Sequence, residues 1–93
     1  MKITLYIGSD ETRKIDSQFM DKVHSILKKH FRGYTIQKSI GVWEDMQEES
    51  IEVIIFTDNL LIKELEACVD ELKHALRQEK IIYTIEMIPW KER

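Results

Sequence analysis

The run Ile51-Glu52-Val53-Ile54-Ile55-Phe56-Thr57 is apolar on both of its faces. A strand covered on one side only alternates apolar and polar residues. Here Ile51, Val53 and Ile55 project one way, and Ile54 and Phe56 the other. The chain has 93 residues. That length fits one domain spanning residues 1–93, and it is too short to lay helices on both sides of a sheet. The second apolar face is therefore a binding surface or a subunit interface, unless the C-terminal tail folds Trp90 across it.

The rest of the chain supplies partners for that strand. Residues 2–7 alternate, with Ile3, Leu5 and Ile7 on one side and Lys2, Thr4 and Tyr6 on the other. This is the pattern of a half-buried strand. Gly8-Ser9-Asp10-Glu11-Thr12-Arg13-Lys14 breaks it and reads as a loop. Asp16 is a good helix N-cap, with Ile15 and Met20 at hydrophobic-staple spacing. Phe19, Met20, Val23, Ile26, Leu27, His30 and Phe31 then recur at helical intervals. Gly33 predicts a left-handed closure near Arg32. Residues 34–43 form a second strand, in which Lys38 and Gly41 point to a bulge or an edge position.

Glu44-Asp45-Met46-Gln47-Glu48-Glu49 reads as an acidic hairpin loop, and the third strand as residues 50–57. Asp58 or Asn59 caps a second helix whose stripe is Leu61, Ile62, Leu65, Cys68, Val69, Leu72 and Leu76. Residues 80–88 form a last strand, ended by Pro89. The order β-α-β-β-α-β predicts a ferredoxin-like α+β sandwich, with a four-stranded antiparallel sheet and both helices on one face. Strands one and three take the centre. The helix-free face then carries Tyr6, Ile54 and Phe56. From the last strand it takes Ile82, Thr84, Glu86 and Ile88, because the alternative set, Ile81, Tyr83, Ile85 and Met87, is wholly uncharged. Trp43 covers one end. Ile54, Phe56, Ile82 and Trp43 are the expected interface of a homo-oligomer, at least a dimer.

Several chemistries are argued against. A net charge of −3 disfavours a nucleic-acid backbone. Tyr6 and Phe56 sit where an RNA-recognition motif stacks bases, but the third strand lacks that motif's basic and glycine signature and carries Glu52. Cys68 is the only cysteine, which excludes an internal disulfide and suits a reducing cytoplasm. No leader pattern opens the chain, and no run approaches the ~20 apolar residues that span a bilayer. His24, His30, His74 and Cys68 lack the paired short spacing of a metal site. No nucleophile stands beside a base. The expectation is a protein without catalysis, metal or cofactor.

The loop after the first strand is the most ligand-like segment. Gly8 and Ser9 offer backbone amides and a hydroxyl, while Thr12, Arg13 and Lys14 add donors and charge before a helix N-terminus. The spacing is not that of a Walker loop. Together with Tyr6, Phe56 or Trp43 as a stacking surface, these residues predict a site for a small anionic ligand. The segments Leu5-Tyr6-Ile7-Gly8-Ser9-Asp10-Glu11-Thr12 and Ala75-Leu76-Arg77-Gln78-Glu79 resemble those of small, mostly uncharacterised accessory proteins encoded by bacteriophages. The resemblance implies an accessory gene product, not a housekeeping enzyme. Some small phage proteins are oligomers that sequester nucleotide signals of host immunity. By that analogy a homo-oligomer with an anti-defence role in nucleotide sequestration is expected. A module that binds and inhibits a host protein through the open face or the acidic hairpin is the alternative.

Overall fold

Alternate residues of the first and third strands build the floor of the core. The computed structural model describes residues 1–9, 14–58, 62–89 and 91, with the backbone alone of Trp43. Its elements are β1 (Lys2–Gly8), α1 (Ser17–His30), β2 (Thr35–Trp43), β3 (Met46–Phe56), α2 (Ile62–Ala75) and β4 (Ile82–Glu86). The strands form one antiparallel sheet in the order β2-β3-β1-β4. This is the ferredoxin-like arrangement expected from the sequence, with β1 and β3 in the centre. Ile3, Leu5, Ile7, Ile51, Val53 and Ile55 are buried against Phe19, Val23, Ile26 and Leu27 of α1 and Leu65, Cys68, Val69 and Leu72 of α2. At about 25 cal/mol per Å² of apolar area removed from water, this shared core is the main source of stability.

α1 begins as expected. Asp16 is extended, and its carboxylate accepts from the Phe19 N–H at 2.8 Å. The N–H of the preceding residue, Ile15, donates to Glu49 of β3 at 3.0 Å. The other end differs from expectation. The helix stops at His30, with Phe31 extended as its C-cap, and Gly33 is not left-handed. Phe31 packs against the core, so apolar burial turns the chain before the glycine is reached. In α2 the buried stripe starts at Leu65, and Ile62 in the first turn is exposed. Asn59 and Leu61 lie outside the described residues.

The β2–β3 hairpin is longer than the acidic run suggests. β3 begins at Met46, and only Glu44 and Asp45 turn, with φ of 47° and 64°. Two left-handed residues match the twist of the flanking strands. Glycine normally marks such a turn, and its absence here hid it. Pairing runs unbroken from Thr35↔Ile54 to Trp43↔Met46, so Lys38 and Gly41 are explained by the edge position, not by a bulge. β4 is shorter than residues 80–88, and Met87 and Ile88 lie beyond it.

A charge cluster ties the C-terminal end of α1 to α2. His30 meets Glu64 through Nδ1 at 2.6 Å and Glu71 through Nε2 at 3.0 Å, and Lys29 donates to Glu71 at 2.8 Å. Burial pulls the imidazole's pKa down, but the bonds and charges of Glu64 and Glu71 together outweigh it, so the value lies above the ordinary 6.5. The folded state thus holds this proton more tightly than the unfolded chain does. The resulting stabilisation is complete below the unfolded pKa and is lost as pH rises through the folded one. Urea midpoints measured between about pH 6 and about pH 8.5 should fall with rising pH, and His30→Gln should flatten that dependence. An unchanged slope in the variant would show that the cluster does not set it.

Candidate ligand cleft and open sheet face

Three chain segments meet where β1 ends. β1 ends at Gly8 and Ser9 leaves the sheet, α1 presents its first turns, and α2 closes. α2 closes by a Schellman turn, in which the Gln78 N–H donates to the Lys73 carbonyl at 2.9 Å and the Arg77 N–H to the His74 carbonyl at 3.4 Å. That turn requires a left-handed residue after the helix, and here it is Arg77, with φ of 54°. The Gln78 amide then reaches across and donates to the carbonyls of Gly8 at 3.2 Å and Ser9 at 3.3 Å. One side chain thereby latches the helix end to the strand end.

Between these segments lies a cavity of about 630 Å³, lined in part by Ser9, Asp16, Phe19, Lys22, Arg77 and Glu79. Ser9 Oγ is buried, with no hydrogen-bond partner among the described residues. A buried hydroxyl left unpaired costs roughly 1–3 kcal/mol. Among the described residues, neither the Lys22 nor the Arg77 side chain makes a hydrogen bond or an ion pair. The carboxylates compete unequally with a bound anion: Asp16 is engaged in capping α1, whereas Glu79 is exposed on the connecting turn.

The expected ligand residues are distributed as follows. Ser9 lines the cleft, and the carbonyl of Gly8 is held at its edge. Lys14 is exposed and is not among the lining residues. Thr12 and Arg13 lie outside the described residues. Tyr6 belongs to the other surface: it pairs with Ile82 of β4 and Glu52 of β3 on the helix-free face. That face also carries Ile54, half-buried, and Phe56, which is 49% exposed, while Ile82 is 60% exposed. Thr4, between Ile54 and Thr84, is buried. Trp43 pairs with Met46 at the far end of the hairpin. Trp90 lies outside the described residues.

Sequence reasoning missed Lys22, Arg77 and Gln78. One signal pointed to the last two: no glycine follows α2, so the helix must close on a residue with a side chain.

Other candidates recede. Burial, then the nearby Glu71 and Glu64, push the Cys68 thiol up to about 12, so it is not a ready nucleophile. His24 is engaged with the Tyr34 hydroxyl at 2.8 Å. No group of metal-ligating side chains gathers among the described residues, and no helix among them is long and apolar enough to cross a membrane.

No protein-family model and no curated protein matches the chain. Solved structures do. The fold is similar to that of a DUF3240 family protein from Shewanella baltica OS155, with a TM-score of 0.61 and 12% identity, over 99% of this chain and 93% of that one. It is also similar to a phage SAM lyase, with a TM-score of 0.54 and 19% identity, over 88% of this chain and 75% of that one. The second likeness corrects the expectation of a protein without catalysis. An enzyme is built on this architecture, so neither the fold nor the lack of a legible triad argues against turnover.

The latch has a measurable consequence. Gln78→Ala should lower unfolding free energy by about 0.5–1.5 kcal/mol, the net worth of such hydrogen bonds. Urea denaturation would register it, and an unchanged midpoint would mean that the Gly8 and Ser9 carbonyls are equally well served by water. The chain thus shares the fold of a DUF3240 family protein and of a phage SAM lyase, and holds a partly unsatisfied polar cleft beside the end of its first strand.

Proposed function

We propose that this chain is a phage-type accessory protein that binds a small anionic, nucleotide-like ligand in the cleft at the end of β1. The observation that carries the reading is the cavity at the end of β1, whose lining includes the side chains of Lys22 and Arg77, neither of them paired among the described residues. The two cations would hold the charge of a ligand in that cavity. The likeness to a phage protein that, by its name, acts on a small molecule supports the same reading.

A thermal-shift screen against nucleotides and SAM tests it. A ligand that binds only the folded state raises the midpoint with concentration, by about 2.7 kcal/mol of stability at 100 times Kd. Chromatography of the recovered ligand then separates holding from conversion. A panel with no stabilisation would move the assignment to the second reading, a module that binds a host protein.

The second reading is favoured by the exposed Tyr6, Phe56 and Ile82 on one sheet face. In the ligand-binding reading, that face joins copies of this chain into a cytoplasmic homo-oligomer. Phe56→Glu should then yield a monomer in sedimentation equilibrium, because an unpaired charge in a desolvated apolar contact costs roughly 3–5 kcal/mol. A wild-type protein that stays monomeric at high micromolar concentration would remove self-assembly and leave the face to another partner.

A further inference from the structure

We infer that Arg77 and Lys22, which line the same cavity, are the anion-contacting pair of the cleft, and that Arg77 occupies its turn position for its guanidinium rather than to close the helix. The inference rests on the ligand-binding reading above and assigns its charge contacts. The position after α2 is left-handed, with φ of 54°. Glycine adopts that conformation without strain, whereas a residue with a Cβ is held there at a cost of roughly 1 kcal/mol or more. The arginine side chain recovers none of this locally: it is exposed and makes no hydrogen bond or ion pair among the described residues. Its position instead places a guanidinium on the cavity wall, while Lys22 comes from α1. Cationic donors thus line one cavity from two separate elements, as multidentate recognition of a phosphate or carboxylate requires. Glu79 on the same turn offsets part of the positive charge, so anion affinity depends on direct contact with Arg77 and Lys22.

The test uses the full chain with ADP, pyrophosphate and adenosine as probes in titration calorimetry, alongside urea denaturation of the unliganded protein. Arg77→Gly should raise the unliganded midpoint and weaken ADP binding about tenfold or more. Lys22→Ala should weaken ADP binding without the stability gain. Lys63→Ala, a matched charge removal on the solvated side of α2, should leave ADP binding unchanged. Binding of pyrophosphate but not adenosine would place recognition in the phosphates, whereas adenosine binding alone would overturn the anion assignment. Two other results would overturn it: ADP binding equal in wild type and Arg77→Gly, or a lower unliganded midpoint in Arg77→Gly, which would make the arginine structural. If the wild type binds none of the probes, the ligand reading itself fails, an outcome distinct from unchanged binding in the variants.

Discussion

The structure depends on the antiparallel pairing of β1 with β3, which runs from Lys2↔Phe56 to Gly8↔Ser50. This register puts Ile3, Leu5 and Ile7 beside Ile55, Val53 and Ile51, and both helices close over that surface. A slip of one residue would turn every one of those side chains to the open face and bring Thr4 and Tyr6 inside. The edge strands are less constrained. β4 shows polar and apolar residues to solvent, and β2 extends with β3 until Ile40 and Val42 stand exposed.

The same pairing positions the cleft. Once β1 is central and α2 lies across it, the end of the strand and the end of the helix are brought together, although Gly8 and Gln78 are 70 residues apart in the chain. The Gln78 amide uses that proximity to hold two carbonyls, and Arg77, in the left-handed turn before it, lines the cavity. The cluster of Lys29, His30, Glu64 and Glu71 fastens the helices to each other at a different point of their interface. The cleft and the open face are distinct surfaces. Ser9 lines the cleft, while Tyr6 lies on the helix-free face, so a ring held by Tyr6 and an anion held by the cleft residues would call on separate regions of a protomer.

Local chemistry alone determined much of this. Alternation in residues 2–7 and 51–56 fixed which side chains enter the core, because neighbouring strand positions must face opposite ways. Asp16 marked the start of α1, because its carboxylate can reach the Phe19 N–H without help from the rest of the fold. The order of elements, with right-handed crossovers, left β1 and β3 only the centre. Other features needed the assembled molecule. Phe31 ended α1 ahead of Gly33 because a long-range apolar contact outweighed a local turn preference. Glu44 and Asp45 adopted a turn that their residue types do not advertise, because strand pairing on both sides required it. Within the site, the break in strand pattern after Ile7 was legible, although Gly8 is still the last residue of β1. The bond from Gln78 to the Ser9 carbonyl, and the presence of Lys22 and Arg77 on the same cavity, were not, because a cleft formed by three separated segments exists only after the sheet and helices have packed.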